Sequence, residues 1–428
     1  MTDHRSSSSL WWLLLFSMFF QIFHYKQETG PLYYLAKIWP LLIFPLIVYG
    51  VLLQKLVDRV LYIVLGLYTM VLTPFLSMIH LSNGLLDAIF STVKAWPLTF
   101  YFSVAGLLVL LRPSESGVAR GALGAGFMTF GVLGILWVVV PEEWYQPTVF
   151  GANMFSWDEG RGNYIRMPMM LAMVALFYVG HCFSRQWRPW QFLLLAAGLA
   201  MMVVMYKARL PTGVACLILL MIIAIRLPKI WLWGLGAVST LPAIALIIIF
   251  GPLVPDLIAT TFDESLFIRL RSSRIALDWI LQDPMRLILG SGSVSSFSDL
   301  TMGDYLGYAD FFLADIGWLG VLMEYGVIGT GLIVAIHLRA LMVTRAVRRG
   351  DPFREALASY VLFEILCSAV YSVMYAPGPV VTAAALAWWF SLRDDAGLAR
   401  GEASRNPLPG MGGEGPEPEA LGLRGRTI

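Results

Sequence analysis

Apolar runs approaching the roughly 20 residues that a helix needs to cross a bilayer core follow one another along almost the whole chain, with short polar stretches between them. The pattern predicts about twelve membrane-spanning helices, at 10–23, 35–53, 60–79, 97–111, 121–140, 165–183, 190–206, 212–225, 230–250, 312–338, 356–374 and 380–392. The stretch Lys26-Gln27-Glu28-Thr29-Gly30 after the first run has no small-x-small cleavage pattern, so that run is read as a retained helix. One connection breaks the rhythm: 251–311, between the ninth and tenth helices, is polar and about sixty residues long. Connections of that length are generally working surfaces.

Inside this loop, Ser272 to Pro284 predicts a short helix lying on the membrane, capped by Ser272 and Ser273, ended by Pro284, and turning Ile275, Trp279 and Leu281 into the interface. Gly290-Ser291-Gly292-Ser293 predicts a flexible turn, with an anion-binding nest of backbone N–H groups as the alternative. No internal repeat and no second globular domain are evident, so residues 1–393 read as one transmembrane domain. The segment 394–428 is rich in Gly, Pro, Arg and Glu, cannot bury a core, and is expected to be a disordered cytoplasmic tail.

Composition fixes the class that the pattern implies. With 58% hydrophobic and 13% aromatic residues and a mean hydropathy of +0.71, the chain is an all-α polytopic integral membrane protein. Its 30 basic and 28 acidic residues leave a net charge of +2, which carries no sign of a nucleic-acid partner. Cys182, Cys216 and Cys367 lie inside apolar runs without CxxC spacing and read as small lipid-compatible residues.

The placement of charge says more than its sum. His4 and Arg5, Lys55 and Arg59, Arg112 and Arg120, Arg185 and Arg188, Arg226 and Lys229, and Arg339, Arg345, Arg348 and Arg349 fall on alternate connections, which the positive-inside rule assigns to the cytoplasm. The opposite set comprises 141–164, 207–211, 251–311 and the turn Tyr375-Ala376-Pro377-Gly378-Pro379. With an even number of spans, both termini are expected inside.

A few arginines break this rule by standing on the outer set: Arg161, Arg166, Arg209, Arg269, Arg271 and Arg274. The guanidinium fork matches phosphate oxygens, so the cluster suits a pyrophosphate-bearing lipid. The plainer alternative is snorkelling to headgroups or pairing with Asp158, Glu159, Asp263 and Glu264.

The order Arg274, Trp279, Pro284, Gly290-x-Gly292, Asp315 and Glu324-x-Gly326-x-x-Gly329 resembles the large-loop signature of the O-antigen polymerase and ligase superfamily, polytopic glycosyltransferases that use undecaprenyl-pyrophosphate-linked glycans. The resemblance implies a multi-pass protein of the bacterial inner membrane with a large periplasmic loop between the ninth and tenth spans. It also implies a lipid-linked oligosaccharide substrate, membrane lipids around it, and partners in polysaccharide export or chain-length control. By that resemblance Arg209 looks like the family's outer arginine, and one of Arg269, Arg271 and Arg274 looks like the loop arginine. Arg274 fits the spacing to Trp279, and Arg269 fits the longer spacing to Pro284. The family's ligases carry a His-Asn pair where this chain has Asp315-Ile316-Gly317, and no histidine lies within 251–311. An aspartate there looks more like the repeat-unit polymerases and exopolysaccharide members.

Transfer of a glycan from a lipid pyrophosphate needs stabilisation of the leaving phosphate and removal of a proton from the acceptor hydroxyl. Asp315 is the candidate base, at the depth where the outer loop enters the tenth span, and Arg274 and Arg209 are candidate phosphate clamps. The plainer reading of Asp315 is a helix-capping carboxylate; Asp310, Glu142 and Glu143 are weaker substitutes. Arg269, Arg271, Arg161 and Arg166 are candidate substrate-binding residues. Trp279 and Trp157 are candidate sugar-stacking rings, and Glu324 is either structural or substrate-lining. The sequence has no Asp-x-Asp pair, so neither a metal nor another cofactor is expected. A polymerase of lipid-linked repeat units is the preferred reading; a ligase passing a finished glycan to another acceptor, or a flippase for lipid-linked oligosaccharides, is the alternative.

Overall fold

A computed structural model describes residues 4–24, 29–53, 56–147, 153–226, 254–295, 301–308, 311–347 and 350–405. The helices in chain order are α1 (His4–Phe19), α2 (Pro31–Leu42), α3 (Phe44–Leu52), α4 (Arg59–Leu67), α5 (Thr73–His80), α6 (Leu85–Phe90), α7 (Phe100–Leu111), α8 (Glu115–Val139), α9 (Met170–Gln186), α10 (Pro189–Met201), α11 (Arg209–Ala224), α12 (Val254–Leu281), α13 (Pro284–Leu289), α14 (Met302–Leu306), α15 (Gly317–Ala346), α16 (Pro352–Cys367) and α17 (Gly378–Arg405).

Five helical stretches among the described residues are long and apolar enough to cross a membrane: Pro31–Leu52, Arg59–His80, Glu115–Val139, Pro189–Tyr206 and Gly317–Ala346. A sixth is formed by Leu85–Lys94 and Trp96–Leu111 if that pair, bent by 53°, is one broken span. Helices also stand where the first, sixth, eighth, eleventh and twelfth spans are expected, as α1, α9, α11, α16 and α17, but α1, α9, α11 and α16 have only 16 or 17 residues. The architecture is that of a helical membrane protein. The expected ninth span, 230–250, and Asp310 lie outside the described residues, as does everything after Arg405, to which α17 extends.

Two departures from the expected pattern lie in the outer connections. The segment before α9 folds into a small sheet of β1 (Gln146–Pro147), β2 (Phe155–Asp158) and β3 (Gly162–Ile165), with β1 parallel and β3 antiparallel to β2 and Trp157 opposite Asn163. The long loop is largely helical: Ser272 and Ser273 lie inside the 28-residue α12 and do not cap it. Pro284 opens α13, whose cap is Asp283, accepting from the Met285 amide at 2.9 Å. Proline suits a first helical turn because its missing N–H has no partner there anyway. Nor do Ile275 and Trp279 face outward. They pack on a small second core built from Ala276, Ile280, Met302, Phe311, Ile316 and Met323, while Phe267, Leu270, Leu277 and Leu281 form the exposed stripe.

The main core runs through α7, α9, α15, α16 and α17, and α1 lies along α8. Charged connections sort to the two ends. Arg339 pairs with Asp58 at 2.9 Å, and at one end Arg354 pairs with Glu115 and Asp394 at 2.8 Å each and Glu355 with Arg185 at 2.8 Å and Arg226 at 3.6 Å. Arg185 and Arg226, both expected to be cytoplasmic, meet at Glu355. At the other end gather the sheet, α12 to α14 and the turn before α17.

Candidate functional site

The geometry of the loop end begins with a break in α15. Gly326 has φ 61° and ψ −175°, an extended left-handed conformation open only to glycine, and it interrupts the helix ten residues in. A break in apolar surroundings strands backbone carbonyls that must find donors elsewhere. The segment 290–293 supplies them: the Ser291 amide donates to the Met323 carbonyl at 2.8 Å and the Gly292 amide to the Glu324 carbonyl at 3.1 Å. A Cβ on Gly290 or on Gly326 would overlap the other segment's backbone. Tyr68 shares its hydroxyl between the carbonyls of Leu289 and Tyr325, 2.9 Å from each.

These bonds correct both readings of 290–293. It is neither a flexible turn nor an anion nest, because the Ser291 and Gly292 amides are spent on α15, the Gly290 amide on the Arg286 carbonyl, and Gly290 to Ser293 are buried. The two glycine-bearing stretches of the sequence, Gly290-x-Gly292 and Glu324-x-Gly326, are one structural joint. Glu324 sits in it, 3% exposed, accepting from Ser293 Oγ at 2.9 Å and paired with Lys94 Nζ. Asn83 and Ser77 continue the polar chain, Asn83 Nδ2 donating to Ser77 Oγ at 2.6 Å and Ser77 Oγ to the Ser293 carbonyl at 2.7 Å.

Asp315 closes a short 3-10 turn, Leu313–Asp315, just before α15. The Ser372 amide donates to the Ala314 carbonyl at 2.9 Å and Trp318 Nε1 to Ser368 Oγ at 3.0 Å, which fixes the connection after α16 against this turn. Burial lifts the Asp315 carboxyl above the usual carboxylate range, and Arg269 and Arg166 pull it back down. Both arginines act on its charge, yet neither is in ion-pair contact with it among the described residues. Tyr375 faces the same carboxylate and Arg166, and burial pushes its phenol up to about 12. Tyr371 lies within electrostatic range of Arg269, Asp315 and Arg161.

The sheet brings in the remaining cations. Arg166 donates to the Tyr164 hydroxyl at 3.0 Å, and Arg161 lies 5.0 Å from the centre of the same ring while pairing with Asp158 at 2.7 Å. Lys207 Nζ donates to the Arg161 carbonyl at 2.6 Å, which sets the start of α11, with Arg209 exposed at its first position, beside the sheet.

The sequence-derived candidates thus separate. Asp315, Arg166 and Arg269 come together, with Arg161 near and Arg209 on the adjoining turn. Helix phase divides the three loop arginines: Arg269 is half-buried on the side of α12 that carries Ser272, Ala276 and Ile280, while Arg274 is exposed among Leu270, Leu277 and Leu281. Arg271 lies over the Tyr308 ring, 4.3 Å from its centre. Trp279 is held by Ser291 Oγ at 2.9 Å and covered at 3.9 Å by Arg286, so one ring face is closed to a sugar. Trp157 is exposed on β2. Glu324 is engaged within the joint below.

Three contributors escaped the sequence reading. Tyr371 and Tyr375 looked like ordinary interfacial aromatics. Lys94 carried a usable signal: it is a lone lysine in the apolar stretch before Trp96-Pro97, and ionisable residues in such positions generally have a partner across the bundle. No protein-family model matches this chain, and no curated protein matches it.

Proposed function

We propose that this protein is a glycan polymerase that transfers a saccharide from a polyprenyl-pyrophosphate donor to an acceptor sugar at the outer face of a bacterial inner membrane. The observation that carries the reading is the convergence of Arg166 and Arg269 on a half-buried carboxylate, Asp315, without ion-pair contact. The arrangement leaves both arginines able to take phosphate oxygens and the carboxylate able to take a proton. Arg161, Lys207 and Arg209 on the adjoining turn and sheet raise the local positive charge.

In this mechanism the donor enters laterally between helices and its diphosphate settles on Arg269, Arg166 and Arg209. Asp315 removes the proton from the acceptor hydroxyl as that oxygen bonds to the anomeric carbon. The bond from that carbon to phosphate breaks, and the electron pair leaves with the lipid pyrophosphate, whose charge the arginines stabilise. A single displacement inverts the anomeric centre. The proton on Asp315 returns to solvent.

A second reading, carriage of lipid-linked glycan across the bilayer, draws on the broken α15 and the bent pair Leu85–Lys94 and Trp96–Leu111, since discontinuous helices line many transporter sites. The charges at that break, however, satisfy one another as Lys94 and Glu324. Reconstituted protein given a lipid-pyrophosphate oligosaccharide separates the two. The polymerase reading expects a ladder of longer products, cut by about 100-fold or more in Asp315→Asn, the usual worth of a general base. Movement of the substrate across the bilayer with no extension would overturn it.

A further inference from the structure

Away from the Asp315 site, α9 and α16 meet along a line of side-chain pairs set by helical spacing. His181 and Arg185 are four residues apart on α9, and Glu355 and Ser359 are four apart on α16, so each couple shares one face of its helix. The rings of Phe177 and Phe363 lie 5.8 Å apart, His181 Nε2 is 2.9 Å from Ser359 Oγ, and Arg185 donates to Glu355 at 2.8 Å. The two helices are therefore antiparallel, and each turn of one meets a turn of the other.

His181 also reaches Glu355, its Nδ1 standing 3.1 Å from Oε2. An ionised carboxylate can only accept, so Nδ1 carries the proton and, in the neutral ring, Nε2 is the acceptor for the Ser359 hydroxyl. Either contact alone is an ordinary bond between packed helices. Together, on opposite nitrogens of one imidazole, they set hydroxyl, base and orienting carboxylate in the order that activates a serine. The neighbouring groups are committed elsewhere: Cys182 is hydrogen-bonded with Tyr178, and Asp351 accepts from the Phe353 and Arg354 amides at 2.9 Å each. Arg185 and Arg226, 2.8 and 3.6 Å from Glu355, put positive charge beside the three, which favours an oxyanion. His181 and Ser359 are half-buried, and Ser359 stands in the first turn of the expected span 356–374, near the boundary of hydrocarbon and headgroups where lipid esters lie.

We propose that Ser359, His181 and Glu355 form a second catalytic centre, a serine esterase that cleaves carboxylic esters of membrane amphiphiles. Ser359 Oγ bonds to the carbonyl carbon while His181 Nε2 takes its proton. The bond from that carbon to the alcohol oxygen then breaks, and the departing oxygen takes the proton from Nε2. Water repeats the two steps, which releases the acid and restores the serine. Glu355 touches no substrate; it positions the imidazole. The centre is independent of the glycan chemistry at Asp315.

The test treats the purified full chain in detergent with a fluorophosphonate, which bonds irreversibly to activated serines, and maps the adduct by peptide mass spectrometry. Hydrolysis of p-nitrophenyl butyrate and p-nitrophenyl palmitate is followed alongside. The expected result is an adduct on Ser359, with hydrolysis lost in Ser359→Ala at an unchanged unfolding temperature. His181→Gln slows labelling and hydrolysis by about 100-fold or more, the usual worth of a general base. Glu355→Gln lowers kcat with KM unchanged, and Glu355→Asp recovers part of the rate, a split that loosened helix packing would not produce. Absence of an adduct at Ser359, or labelling of His181→Gln at the wild-type rate, would overturn the proposal and leave the three residues as a tie between α9 and α16. An adduct with neither ester hydrolysed, or hydrolysis that survives in Ser359→Ala, would overturn it as well.

Discussion

Burial and two arginines act in opposite directions on the carboxyl of Asp315, and burial wins. A base works only when ionised, so transfer should fall as pH drops through the Asp315 pKa, on a limb above that of an ordinary carboxylate at about 3.9. Arg269→Ala removes a cation that holds the carboxyl down. Its acidic limb should therefore move to still higher pH, together with a loss of maximal rate. Arg274, exposed on another face of α12, should leave the limb in place when changed to Ala. Rates of glycan extension against pH for the three proteins check this, and an identical limb in all three would remove Asp315 from the role of base. Sequence spacing favours Arg274 by its distance to Trp279 and Arg269 by its distance to Pro284, and leaves the choice open. Only the phase of a helix longer than expected, with Ser272, Ala276 and Ile280 buried, directs Arg269 inward.

The joint between α15 and 290–293 is the element on which the loop end depends. It carries α12 and α13 against the helix that begins beside Asp315, so its geometry sets where Arg269 stands. Lys94 and Glu324 lie at the joint, Glu324 almost fully buried. Lys94→Met should lower stability by about 3 kcal/mol or more, because it leaves a buried carboxylate without its cation. Replacing both, as Lys94→Met with Glu324→Met, should recover most of that loss, since a buried ion pair contributes little over apolar residues of similar size. Unfolding midpoints in detergent for the two single variants and the double variant form the cycle that measures it. If the losses simply add, the pair is not coupled. The glycines at 290, 292 and 326 were visible in the sequence as motifs, but their pairing was not, because nothing local to either segment says which backbone it will meet.

Over much of the molecule the connections expected on one side of the membrane find one another, but Tyr101, early in the fourth expected span, donates to the Val57 carbonyl, which lies in a connection expected on the opposite side. Glu115 reaches Arg354, Asp58 reaches Arg339, and Glu355 reaches Arg185 and Arg226, while Lys207 reaches Arg161 and the turn after α16 reaches Ala314. Such sorting is what a bundle of alternating helices produces when loops are confined to two aqueous faces. In a cysteine-free background, a membrane-impermeant maleimide should label Glu159→Cys in intact spheroplasts and label Arg120→Cys only after permeabilisation. The reverse pattern would invert the orientation and place the Asp315 site in the cytoplasm.

The sequence by itself determined the class and the positions of most helices. These follow from hydropathy, helix length and charge, each a property of a residue and its near neighbours. Tertiary structure alone decided that the loop holds a 28-residue helix, that a small sheet carries Arg161 and Arg166, and that Gly290 and Gly326 form one joint. It also brought Tyr371 and Tyr375 to Asp315. The physical reason is common to all of these: a broken helix or a buried polar atom is stable only with donors, acceptors or charges from distant segments, and which segments arrive depends on the packing of the entire chain.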